Sequence, residues 1–166
     1  MNRILQSTIQ TLNKTHKLLS TLSDDKYSDT SVSPYYSSIG SHIRHIYDFY
    51  DCALNVEDGR VDLTARKRIA CIENSCDSAI KYFDTIISRL KAVDVLNNKE
   101  LVVIDDLGTG KIEINYTYEA LLAQGNSHTI HHYAIINYIL DRLNITIDDS
   151  DFGYNPTTPK KVTNLN

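Results

Sequence analysis

Tryptophan is absent from this chain of 166 residues, methionine occurs once, and cysteine occurs three times, at Cys52, Cys71 and Cys76. Three is an odd number and no CxxC pair is present, so no disulfide framework is expected. The thiols read as reduced and buried in a cytoplasmic protein. No segment approaches the roughly 18–20 consecutive apolar residues of a membrane span, so no membrane partner is expected. The first residues, MNRILQSTIQ, lack the apolar region and small-residue cleavage site of a signal peptide. The formal net charge is −4, and lysine and arginine are scattered instead of striped, so no nucleic-acid partner is expected. Neither a GxSxG motif nor a cysteine beside a histidine is present, which leaves a serine or cysteine hydrolase without support. There is also no internal repeat, low-complexity tract or linker.

What remains has ordinary globular proportions, 42% hydrophobic and 23% charged residues, and a length that suits one domain over residues 1–166. Apolar residues recur at helical spacing from about Asn2 to Leu22, before the polar stretch SDDKYSDTSVSP. Pro34 fits the start of a second helix over about Tyr35 to Asn55. A third helix is expected from about Ile69 to Val93, carrying Ile72, Cys76, Ile80, Phe83, Ile87 and Leu90. ELVVIDD and KIEINYT then change the period to that of strands, and LGTG between them predicts a β-hairpin. A last helix runs from near Thr117 to about Leu143. From Asn144 onward the tail reads as irregular, residues 146–166 included. The expected architecture is mainly α, an antiparallel four-helix bundle with a small β-hairpin between helices three and four.

Five of the six histidines fall into two groups, His42 and His45 on the second helix and His128, His131 and His132 on the last. At ~100° per residue, His128 and His132 lie about 40° apart, on one arc with Leu121, Ile135, Ile139 and Leu143. His131 lies about 60° to the side of His128. Two imidazoles at i and i+4 on a buried face can chelate one ion. The alternative is a pair of core histidines satisfied by tyrosine or backbone partners. A second histidine pair on another helix favours the metal. The wheel of the second helix places His42 nearer its apolar centre than His45, and so slightly prefers His42 as third ligand. Asp48, one turn after His45, is either a polar partner of the site or a solvated surface charge. Arg44 reads as a surface charge, and Gly125 as a point of close helix packing more than space for a ligand. Tyr133 is a packing residue or, with His42 and Asp48, a proton-transfer group. Glu73 and Glu119 are available as fourth ligands, without motif spacing.

SIGSHIRHIYDFY (38–50), NSHTIHHYAIINYIL (126–140) and DFGYNPTTP (151–159) together resemble the DinB-like (DinB/YfiT) superfamily of bacterial metal-binding four-helix bundles. In that superfamily a histidine followed three residues later by aspartate stands on the second helix and HxxxH on a later one. The hairpin before the last helix also suits one branch of the group. The resemblance implies His45, His128 and His132 as metal ligands, His45 and not His42, with His42 and His131 lining the site. It implies one divalent ion (nickel, zinc or iron) with water in its remaining positions. It also implies a thiol-dependent transferase or isomerase activity in some members, and homodimers in many. Imidazole itself suits nickel, zinc, copper and iron alike. Three neutral imidazoles with open positions can polarise a substrate oxygen, acidify bound water or hold a thiolate. No cysteine falls within the histidine motifs, so such a thiol would come from a low-molecular-weight cofactor or a small-molecule substrate. The readings are thus a metal-dependent thiol transferase or hydrolase, or a non-catalytic metal-binding or stress-response protein.

Overall fold

The structure, a computed structural model, describes residues 2–93 and 100–159; the part of the expected tail beyond residue 159 lies outside them. Each long helix starts where a polar side chain can take up an N–H that the first turn leaves free. Asn2 accepts from the Ile4 N–H at 2.8 Å and opens α1 (Arg3–Leu19). Ser38 accepts from Ser41 and opens α3 (Ile39–Ala53), and Thr117 accepts from Ala120 and opens α6 (Tyr118–Arg142). The polar stretch after α1 is not a plain loop. Ser23 caps a single turn, α2 (Asp24–Tyr27), which carries Tyr27 into the core, where its hydroxyl donates to the Ile72 carbonyl at 2.7 Å.

Two helix boundaries differ from the periodicity. The second long helix begins four residues late, at Ile39. Pro34 stands outside it after a cis peptide bond, and Tyr36 has a left-handed φ of 52°, a conformation that no helix continues through. The third is divided at Ser75, whose extended backbone (φ −138°, ψ 119°) ends α4 (Ala70–Asn74) and caps α5 (Cys76–Ala92). The apolar pattern passes through this break because α4 still buries Ile72. The hairpin has its expected bounds, β2 (Glu100–Asp106) and β3 (Lys111–Thr117), paired antiparallel from Glu100↔Thr117 to Asp106↔Lys111. A short strand that periodicity missed, β1 (Arg60–Asp62), adds to β2 in parallel and makes the sheet three-stranded, in the order β1-β2-β3. Three residues are too few for an alternating pattern to be legible.

The molecule is mainly helical. α1 and α3 each pack against both α5 and α6, and the core between them holds Leu12, Ile39, Ile43, Ile46, Tyr50, Leu90, Leu121 and Ile136. α3 approaches its neighbours closely at two glycines. A Cβ at Gly40 would stand 2.0 Å from the Glu73 carbonyl oxygen, and one on α6 at Gly125 would stand 2.6 Å from the Phe49 ring. Gly125 therefore serves packing, as expected. The tail is irregular but not loose among the described residues. Phe152 is buried and stacks on Tyr133 with ring centroids 4.5 Å apart, while Asp149 pairs with Lys14 on α1 at 3.0 Å. No helix among the described residues is long and apolar enough to cross a membrane.

Candidate metal centre

The buried stripe of α6 runs through Leu121, Leu122, Gly125, Thr129, His132, Tyr133, Ile136, Ile139 and Leu140. It is rotated from the arc expected from the sequence, so that His128 and Ile135 fall on the flank, half-buried, and of the pair His128 and His132 only His132 is buried. The histidine pair thus lies along the margin of the core and not at its centre. α3 crosses α6 there and brings His45, also half-buried, onto the pair. Its approach is set by Gly125, which lets the Phe49 ring lie against both α6 and the His128 ring (centroids 5.4 Å).

His45, His128 and His132 form a triangle, with ring centroids 4.8 Å (45–128), 4.7 Å (45–132) and 4.5 Å (128–132) apart. One nitrogen from each lies within 4.8 Å of the others. Two nitrogens on one tetrahedral zinc stand about 3.3 Å apart, so the cluster is compatible with one divalent ion after modest closure. The donor chemistry fits as well. Nε2 of His128 is a buried atom with no hydrogen-bond partner, a costly state that a metal would relieve. All three imidazoles are held neutral, so each keeps one unprotonated nitrogen. Burial lowers His45 to about 4, helped by Arg66 and Arg44. It lowers His128 to about 4, helped by His45, and His132 to about 2, helped by His128 and His45.

The other residues expected at the site separate into neighbours and outsiders. His42, half-buried, touches the triangle through His132: their Nδ1 atoms are 2.9 Å apart. Its own pKa is lowered, chiefly by burial. His131 is exposed, its ring centroid 5.2 Å from that of His132. Asp48 is buried rather than solvated, but it serves the scaffold. It pairs with Arg44 and accepts the Arg68 N–H at 3.2 Å, fixing the 66–68 loop on α3. Arg44 is accordingly no surface charge; its guanidinium bridges Asp48 and Glu73, which removes Glu73 as a fourth ligand. Glu119 is taken by the Asn2 amide at 2.6 Å. Cys71 is exposed, against expectation, while Cys52 and Cys76 are buried with thiols raised to about 11 and 12, mainly by burial.

Tyr133 is not a proton-transfer group of this site. Its side chain is fully buried and its hydroxyl faces α1, paired with Thr15 Oγ1 and donating to the Thr11 carbonyl at 3.0 Å. Replacing Tyr133 by phenylalanine is expected to cost about 1–2 kcal/mol of stability, since Thr15 loses a buried partner. Metal affinity is expected to stay unchanged. Thermal unfolding and a zinc titration of the same sample measure both.

Three neighbours escaped the sequence. Phe49 carried a usable signal, because it stands four residues after His45 on one helix face. Arg66 lies in a loop that only the tertiary structure brings near His45, whereas Ser37 stands five residues before His42, just ahead of α3, and was not singled out.

A mainly helical chain with a three-stranded sheet whose hairpin precedes the last helix has the DinB-like fold. The crystal structure of a DinB-like protein, YjoA of Bacillus subtilis, matches 87% of this chain and 94% of its own, with a TM-score of 0.63 and 20% sequence identity. At that identity the likeness speaks for the fold. No family model matches the sequence, and no curated protein is similar to it.

Proposed function

We propose that His45, His128 and His132 hold one divalent metal ion at the seam of α3 and α6, and that the protein is a metal-dependent enzyme. The observation that carries this reading is the convergence of three neutral imidazoles around a buried nitrogen with no hydrogen-bond partner. In this reading α1, α3, α5 and α6 are the antiparallel four-helix bundle of a single domain, and the ion sits on its margin.

The absence of a fourth ligand among the described residues, and the half-exposure of His45 and His128, favour exchangeable positions over a closed structural site. The exposed loop Arg66–Arg68 supports an anionic occupant. Lys67 pairs with Asp51, while the Arg66 and Arg68 guanidinium groups have no acidic partner among the described residues, and their charge is felt at His45. A thiolate or hydroxide on the metal suits that field. We therefore read the activity as thiol transfer or hydrolysis on a small molecule, with a low-molecular-weight thiol as the anionic partner. The protein would act as a cytoplasmic homodimer. Elemental analysis of the purified protein tests the premise: about one equivalent of nickel, zinc or iron per chain is expected, and a metal-free protein that takes up none on titration overturns it. If metal is bound, turnover of a thiol with an electrophile tests the activity.

A further inference from the structure

His42 lies outside the triangle, yet it is joined to it by a chain of short contacts. His42 Nδ1 stands 2.9 Å from His132 Nδ1, and His42 Nε2 stands 2.8 Å from Ser37 Oγ. A neutral imidazole carries one proton on two nitrogens, so only two arrangements satisfy both contacts. In the first, His42 Nδ1 donates to His132 and His42 Nε2 accepts from the Ser37 hydroxyl. His132 then carries its proton on Nε2, and neither of its nitrogens offers a free lone pair. In the second, His132 Nδ1 donates to His42 Nδ1, and His42 Nε2 donates to Ser37 Oγ. His132 Nε2 is then an unprotonated donor atom.

We infer that Ser37 and His42 form a relay that fixes the tautomer of His132, making Nε2 its metal-binding nitrogen and His42 a positioning residue, not a ligand. This rests on the metal reading above and adds to it which atom binds and what holds it. The geometry separates the two histidines of the second-helix motif. His45 brings a nitrogen to the other two imidazoles, whereas His42 is not in that group and spends both nitrogens on hydrogen bonds. A ligand histidine whose second nitrogen is held by an outer partner is better oriented and more basic, and loss of such a partner typically weakens metal binding 10–100-fold. Ser37 sits ahead of the Ser38 cap of α3. The start of that helix therefore places the relay, and the four-residue delay relative to the sequence pattern leaves Ser37 outside the helix to reach back.

The test is a zinc titration of the full chain, wild type against His42→Phe, His42→Asn and Ser37→Ala, with folding of each followed by circular dichroism. The amide oxygen introduced by His42→Asn can stand where Nδ1 stands and accept the same proton, whereas the phenyl ring of His42→Phe cannot. The relay predicts a 10–100-fold loss of affinity in His42→Phe, recovery to within a few-fold in His42→Asn, and a loss of a few-fold in Ser37→Ala. Long-range ¹⁵N–¹H spectra of the zinc-loaded wild type should place the proton of His132 on Nδ1. Equal affinity of a folded His42→Phe variant, or zinc bonded to His132 Nδ1 or to His42, overturns the inference and leaves the metal reading standing. A wild type that takes up no zinc overturns both.

Discussion

Replacing both His128 and His132 by alanine is expected to reduce zinc affinity at least ~1,000-fold, which corresponds to about 4 kcal/mol. A fully liganded structural zinc gains about 10–16 kcal/mol from its protein ligands. Losing two of three imidazoles leaves His45 alone, and one half-exposed histidine holds a divalent ion little better than free imidazole. Alanine favours the helix at both positions, and neither histidine supplies apolar core volume, so α6 is expected to persist. Competition with a chromophoric chelator measures the affinity, and circular dichroism confirms the helix. Metal content equal to that of the wild type would falsify the three-histidine centre. A separate His45→Ala variant should lose more affinity than His42→Phe, since a ligand contributes more than the partner of a ligand.

Acidification supplies the second large effect, on the metal-free protein. In the unfolded chain the histidines titrate near 6.5, whereas in the folded protein burial holds His45 and His128 near 4 and His132 near 2. Above pH 6.5 both states are neutral at these sites and the histidines add no pH dependence. As the pH falls through 6.5, the unfolded chain takes up protons that the folded chain refuses, so stability falls with pH. The loss builds between 6.5 and about 4 and continues lower for His132. Discounted for the solvent that reaches His45 and His128, it amounts to about 3 kcal/mol. Carboxylates act in a different window. Burial raises Asp51, but Lys67 and Arg89 more than offset it and draw it below its usual range, so its stabilising contribution is lost only at pH values under about 4. Denaturant unfolding from pH 7.5 to 4.5 should therefore give a slope that flattens in the His128→Ala/His132→Ala protein. An unchanged slope would mean that these imidazoles are not desolvated.

The legible parts of this molecule are those whose pattern repeats. α1 and α6 announce themselves by an apolar recurrence over many residues, and β2 and β3 by β-branched runs on either side of a glycine turn. β1 has three residues and could not. The apolar pattern runs on through Ser75 because a helix break that keeps Ile72 buried leaves the spacing of apolar residues undisturbed. The stripe of α6 shows a subtler limit. Its arc is wide enough that the wheel found the face, but not the margin on which His128 sits. Periodicity slightly prefers His42 over His45 as third ligand, but both flank the buried face of α3, and the crossing over α6 brings His45, not His42, into the cluster with His128 and His132. The resemblance to DinB-like proteins names His45, and the structure groups His45 with His128 and His132. The sequence reads Arg44 as a surface charge, Asp48 as a site partner or solvated charge and Glu73 as an available ligand, because an ion pair joining α3 to a distant short helix has no local signature.

The place of the triangle at the edge of the helix packing bears on how the protein would mature. Its apolar interior is assembled from all the long helices, with Phe152 of the tail, and the imidazole rings meet it along its edge, His128 against Phe49. Unlike a zinc finger, whose chain collapses only around its ion, a chain with the proposed centre on the margin of its core would finish folding first and be loaded afterwards. In the proposed metal reading, supply in the cell at that late step would decide which ion is taken up, and a chelator should strip it from an intact scaffold ready to be refilled.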